Sequence, residues 1–252
     1  MNDASRDKDA LTEIRGDRET TRVDVSIEPR DEKKHVDDKG AQSLPVNSST
    51  PASGNELHSR VNASRLRLFC AIELTSEVRA RASEHITQLR LQMPRVRAGW
   101  ERTEKLHLTL KFFGDVEASR IPALLLAAER AASAIAPFTL TVADAGAFPS
   151  HGQPRVLWLG LHDASCTLAR LHNSLESECA VAGFKREERS FHPHITIARL
   201  RQPAGARELA ALHKEIGFEA MELKVNEITL MRSELGPGGS RYTALSRHIL
   251  SV

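Results

Sequence analysis

Two short segments of this chain, His107-Leu108-Thr109-Leu110 and His194-Ile195-Thr196-Ile197, share one order of residue types: histidine, apolar, threonine, apolar. On an extended strand successive side chains point to opposite faces, so each segment offers an imidazole and a hydroxyl on one face and buries its aliphatic residues on the other. Two such strands brought face to face would set two proton-transfer groups and two hydrogen-bond donors around one small group. A tetrahedral phosphate suits that arrangement, and phosphate-ester chemistry without a metal is the expectation. One His-x-Thr segment alone reads first as the polar face of a half-buried strand. The second copy, in the same order on another expected strand, distinguishes the pair.

His192-Pro193-His194 supports a competing reading, because histidines at alternate strand positions share a face and can hold a metal. No Asp, Glu or Cys stands near them at ligand spacing, and a metal would leave His107 and Thr109 without a role. His192 is therefore expected at the strand entrance, outside the reacting set, and no metal or other cofactor is expected.

The elements that must carry these segments are legible as strands and helices in an order that is mixed rather than strictly alternating. Strands are expected at Leu66 to Leu74, Leu106 to Phe113 (ending at Gly114), Phe138 to Val142, Val156 to Leu161, His192 to Leu200, Met221 to Ser233 and Arg241 to Leu250. Helices are expected from Thr75-Ser76-Glu77 to about Met93, from about Glu117 to Ile135, from Ser165 to Ala182 and from Ala206 to Ile216. Gly236-Pro237-Gly238-Gly239 marks a hairpin turn between the last two strands. This order gives an α+β class: two similar lobes of largely antiparallel sheet with flanking helices. Along Leu106 to Phe113, strict alternation puts Leu106, Leu108, Leu110 and Phe112 on the apolar face and Lys111 on the face of His107.

The 252 residues carry 35 Lys and Arg against 33 Asp and Glu, a net charge of +2. Residues 1–65 hold 11 basic and 13 acidic side chains, which leaves 24 basic and 20 acidic in the remainder. The first stretch is poor in aromatic residues and dense in charged and hydroxyl side chains, so residues 1–64 are expected to form a disordered extension and residues 65–252 the folded domain. The mildly basic balance of the domain suits an anionic ligand. Cys70, Cys166 and Cys179 are odd in number and lack metal-type spacing, which fits a reducing compartment. No apolar run is long enough to span a membrane and no signal-peptide block is present, so a cytoplasmic protein is expected.

Three segments, Leu66-Arg67-Leu68-Phe69-Cys70-Ala71-Ile72-Glu73-Leu74, Leu106-His107-Leu108-Thr109-Leu110-Lys111-Phe112-Phe113-Gly114 and Phe191-His192-Pro193-His194-Ile195-Thr196-Ile197-Ala198-Arg199, together resemble the bacterial RNA 2′,3′-cyclic phosphodiesterases, also called 2′-5′ RNA ligases, of the two-histidine phosphoesterase superfamily. The resemblance runs from Arg65 to the C-terminus and includes the segment Leu230 to Leu235. It implies a bilobal fold around a central cleft, with His107 as proton donor, His194 as proton acceptor, and Thr109 and Thr196 as phosphate-binding groups. It also implies a partner, RNA ending in a 2′,3′-cyclic phosphate, opened to a 2′-phosphomonoester by a single chain without a metal. Some members join tRNA halves by the reverse reaction. Arg189 resembles the family's arginine upstream of the second motif and is a candidate phosphate contact. The run Lys185 to Arg189 reads equally as a solvated charged face.

Trp100, Phe148, Trp158 and Phe191 are candidates either for stacking on a base or for core packing. A small cyclic nucleotide as substrate, a noncatalytic RNA-binding module and a metal-dependent hydrolase remain alternatives at this level, since the motifs read a phosphate and not what is attached to it.

Overall fold

The computed structural model describes residues 65–236 and 239–251. The expectation of a disordered extension over residues 1–64 lies outside the described residues, as do Pro237 and Gly238 of the hairpin turn.

Among the described residues, nine strands and four helices follow one another as β1 (Arg65–Glu73), α1 (Ser76–Gln92), β2 (Gly99–Trp100), β3 (His107–Glu117), α2 (Ile121–Ser133), β4 (Phe138–Phe148), β5 (Val156–His162), α3 (Thr167–Val181), β6 (His194–Arg199), α4 (Ala206–Ile216), β7 (Met221–Val225), β8 (Glu227–Gly236) and β9 (Gly239–Ile249). All strand pairings are antiparallel, in the order β7-β4-β5-β6-β3-β1-β8-β9, with β2 on the far end of β6. The two lobes are thus halves of one curled sheet. They meet at a single paired position, Leu108 of β3 with Ile195 of β6.

Helices cover one face of the sheet and bury the aliphatic side of each strand. Thr75 caps α1 by accepting from the Val78 N–H at 3.4 Å, and Val78, Ala82, His85, Ile86 and Leu89 repeat at helical spacing on its buried stripe. The helices cross between halves: α1 follows β1 but packs on α4 and β7, while α3 follows β5 but packs on α2 and β3.

Several boundaries depart from the sequence reading for identifiable reasons. The expected strand Met221 to Ser233 is two strands broken at Asn226, and they serve opposite ends of the sheet, β7 beside β4 and β8 beside β1. The strand expected to stop at Val142 runs on to Phe148 through Asp144, which adopts φ 66° at a register shift. The strand expected to stop at Gly114 continues past it to Glu117, because glycine accommodates φ 68° there. The helix expected from Glu117 begins as a short 3-10 turn and becomes α-helical at Ile121, with Pro122 in its first turn.

Lys111 corrects the alternation argument. It is buried on the helix-covered side, where its Nζ donates to Glu176 Oε1 at 2.6 Å and to the Lys185 carbonyl at 3.0 Å. Glu176 Oε2 in turn accepts from the Glu187 N–H at 3.2 Å. The ion pair therefore ties the chain leading into β6 to the strand that carries His107. Lys111→Met would leave the buried Glu176 carboxylate without its ammonium partner, with the Glu187 N–H and His172, 3.9 Å away, beside it. It is expected to lower unfolding stability by about 3–5 kcal/mol, and Lys111→Met combined with Glu176→Leu should recover part of that loss; urea unfolding of the three proteins measures both.

A second buried polar system joins α1 to α4. His213 Nε2–H donates to the Trp158 carbonyl at 3.0 Å, so its Nδ1 must accept, and His85 Nε2–H supplies the proton at 2.9 Å. The remaining nitrogen, His85 Nδ1, is buried without a partner among the described residues. Two neutral rings satisfy this directional chain. Burial, with the charges of His213 and Arg81 adding to it, pushes His85 down to about 4, and burial pushes His213 down as well. In the unfolded chain a histidine binds its proton near pH 6.5. The stabilisation is therefore complete above that pH and is lost progressively as the pH falls from about 6.5 toward 4. The melting temperature is expected to drop over this interval, and the drop should be shallower in His85→Leu.

Candidate active site

Each threonine in the two tetrads is followed by the extra residue of a β-bulge. Along β3, Thr109 faces Ala71 and Lys111 faces Cys70, which leaves Leu110 unmatched; along β6, Thr196 faces Trp158 and Ala198 faces Leu157, which leaves Ile197 unmatched. A bulge inverts the alternation beyond it. Leu110 and Lys111 both turn toward the helices, as do Ile197 and Ala198, and all four are buried. The next residues, Phe112 and Arg199, return to the open face that already holds His107, Thr109, His194 and Thr196. Strict alternation would have sent Arg199 inward and Phe112 into the core.

The strands carrying the motifs lie side by side in one sheet, which corrects the face-to-face arrangement expected from sequence. Antiparallel register through Leu108 and Ile195 sets His107 across from Thr196 and Thr109 across from His194. Imidazole and hydroxyl thus alternate around the quartet. Both imidazoles are oriented the same way. His107 Nδ1–H donates to the Lys105 carbonyl at 2.6 Å, and His194 Nδ1–H donates to the His192 carbonyl at 2.7 Å. A carbonyl only accepts, so each neutral ring carries its proton on Nδ1 and turns a basic Nε2 to the open face. His107 Nε2 accepts from the Thr109 hydroxyl at 3.0 Å.

Aromatic rings set the walls. The His107 ring lies 5.0 Å from Phe69 and 5.4 Å, edge-on, from Tyr242, while Phe112 stacks on Phe69 at 5.5 Å. The His194 ring meets Phe148 edge-on at 5.1 Å, and Phe148 leans on Trp158. Of the four aromatic residues singled out in the sequence, Trp100 and Phe191 pack on the core and Phe148 and Trp158 line the open face.

Burial pushes the pKa of both histidines below the ordinary value, and the accepting carbonyls partly oppose this by favouring the imidazolium. The Arg199 guanidinium depresses both further; Glu73, paired across from His107, works the other way on that ring alone. Arg199 is thus the charged group that bears on both imidazoles, and its place was hidden from sequence by the bulge. Arg189, the arginine named in the sequence reading, instead holds Glu187 through Nε at 3.0 Å and Nη2 at 2.8 Å, and is largely exposed. No group of three or more His, Cys, Asp or Glu arranged to hold a metal ion occurs among the described residues, so the His192–His194 pair has no third ligand there. The three cysteines are free, and no described helix is long and apolar enough to cross a membrane.

Residues 78–237 match the 2′-5′ RNA ligase superfamily. The chain belongs to that superfamily. The resemblance read from the motifs is thereby borne out, as is the α+β class with an antiparallel sheet. Among curated relatives of the superfamily, the RNA 2′,3′-cyclic phosphodiesterase of Escherichia coli K12 is 38% identical over 186 residues, covering 73% of this chain and 97% of that protein. The protein of the same name from Methanothermobacter thermautotrophicus is 33% identical over 182 residues, covering 71% and 96%. Among solved structures, TT0787 of Thermus thermophilus superposes with a TM-score of 0.61 at 30% identity, covering 73% of this chain and 98% of that one. Apo LigT of E. coli gives 0.58 at 34% identity, covering 75% and 99%.

Within this superfamily member, Arg199→Gln removes a cation that disfavours both imidazolium ions. The titration midpoints of His107 and His194 are expected to move to higher pH together, as read by NMR of the ring protons. Midpoints that stay in place would remove Arg199 from the electrostatics of the site.

Proposed function

We propose that this chain opens the 2′,3′-cyclic phosphate at the end of an RNA to a 2′-phosphomonoester, using its two histidines and no metal. The observation that carries the reading is the matched pair of imidazoles, each held by a backbone carbonyl through Nδ1 so that two Nε2 atoms address one open face. His194 Nε2 takes the proton of a water that attacks phosphorus in line, and His107, entering as the imidazolium, gives its Nε2 proton to the departing 3′ oxygen. Thr109 and Thr196 donate to the non-bridging oxygens, with the Thr109 hydroxyl released from His107 Nε2 once that nitrogen carries a proton. Arg199 supplies the positive charge that balances the phosphorane-like transition state. Arg189 remains a candidate for more distant phosphate contact only on exchanging its partner Glu187.

Curated relatives bearing the name RNA 2′,3′-cyclic phosphodiesterase support the substrate class, and a structure of E. coli LigT complexed with 3′-AMP supports a nucleotide ligand. Run in reverse, the same pose joins RNA ends, tRNA halves among them, through a 2′-5′ linkage. Both motifs come from one chain, so a monomer suffices, and free thiols suit the cytoplasm.

Activity on a 2′,3′-cyclic-ended oligonucleotide is expected to survive a chelator, and His107→Ala or His194→Ala should each lower kcat by about 10²–10⁴-fold. Substantial turnover in either variant, or its loss on chelation, would sink the proposal. One histidine must enter neutral and the other protonated, so kcat/KM should trace a bell against pH. Because both free imidazoles are depressed, its optimum should lie on the acid side of the ordinary histidine value of about 6.5. Bound phosphate favours the imidazolium, so the kcat profile should sit at higher pH than that of kcat/KM.

A further inference from the structure

Trp158 occupies a place that core packing does not explain. It stands on β5 directly across from Thr196 of β6 and from Gly146 of β4, on the open face of the sheet. Its neighbours Leu157 and Leu159 are fully buried among the core side chains on the other face, whereas Trp158 is half-buried and rests on Phe148 with ring centroids 5.2 Å apart.

The strand beneath is shaped for the ring. A Cβ on Gly146 would lie 2.1–2.6 Å from three atoms of the indole, so only a residue without a side chain lets the ring lie down on β4. Gly160, the next residue of β5 on this face, keeps the adjoining space clear: a Cβ there would meet the Ala143 carbonyl at 2.7 Å and the indole at 3.4 Å. The indole, seated over the Gly146 backbone and flanked by Phe148, is still only half-buried, so part of its surface is left for another planar group. Aromatic faces of this kind take nucleic-acid bases with little preference for sequence.

The position relative to the histidines selects which base. Phe148 bridges Trp158 to His194, while His107 has its own aromatic neighbours, Phe69 and Tyr242. In the reaction proposed above, the entering hydroxyl stands on the His194 side. We infer that Trp158, seated on Gly146 and backed by Phe148, is a stacking platform for the 5′-terminal nucleoside of a second RNA strand, whose 5′-hydroxyl takes the place of water. This rests on the phosphodiesterase reading. The 5′ oxygen bonds to phosphorus as the P–O3′ bond breaks; its proton passes to His194 Nε2, and His107 protonates O3′. The product is a 2′-5′ phosphodiester, and no further reactant is needed.

The test supplies one cyclic-ended RNA donor together with a 5′-hydroxyl oligonucleotide and reads the ratio of joined to hydrolysed donor in a single reaction. That ratio does not depend on how much of a variant is folded. Trp158→Ala is expected to lower it about tenfold or more, and Trp158→Phe should restore most of the loss. An acceptor lacking its 5′-terminal base should show a similar deficit with the wild-type protein, and no additional deficit with Trp158→Ala, because ring and base would be one interaction. A ratio unmoved by Trp158→Ala, deficits that multiply, or hydrolysis with no joining by the wild-type protein would each overturn the inference. Absence of hydrolysis by the wild-type protein would instead overturn the phosphodiesterase reading, and this inference would fall with it.

Discussion

The open face of this protein depends on one junction. Leu108 and Ile195 are the one pair of residues matched in register between the strands that carry the two motifs, and both side chains are fully buried against the helices. Because a strand alternates its faces, burying these two residues at the join forces their flanking histidines and threonines out together on the opposite side. Hydrophobic burial thereby positions polar chemistry. The join is also short, a single matched position within one continuous antiparallel sheet.

Two buried polar systems hold the halves in that relation from behind. On one side, Lys111 and Glu176 clamp the chain entering β6 onto β3. On the other, His85 and His213 link α1 and α4 to the backbone of Trp158, itself directly across from Thr196. A desolvated ion pair or imidazole chain is a costly way to gain stability but a selective way to fix a register, since a shifted arrangement would strand its charges or donors. One system attaches at Lys111, next to the first motif, and the other at Trp158, the cross-strand partner of Thr196 in the second.

The alternation of apolar residues disclosed most strands, and Thr75 with its acidic follower located the start of α1. His-x-Thr spacing disclosed the quartet, because histidine and threonine two apart share a face whatever the chain does beyond them. The course of each strand past its threonine was not legible. A bulge is a single unmatched residue, Leu110 or Ile197, with no sequence mark of its own, yet it reverses the assignments just beyond it: Lys111 goes inside, Arg199 and Phe112 go out. The split at Asn226 was hidden for a related reason. Strands β7 and β8 are nearly continuous in sequence, and only their partners, at opposite ends of the sheet, reveal that they are separate.

The carbonyl that orients each histidine has an evolutionary corollary. Where a carboxylate side chain aligns an imidazole, a single codon change can misalign it. Here the aligning atoms belong to the main chain at Lys105 and His192, so no replacement of those side chains deletes them. The tautomer is inherited with the conformation of a three-residue segment, and selection for it acts on backbone shape. At the second motif Pro193 lies inside that segment and narrows its conformational choice. Drift can therefore rewrite most of the residues around the quartet while the two imidazoles keep presenting the same nitrogen.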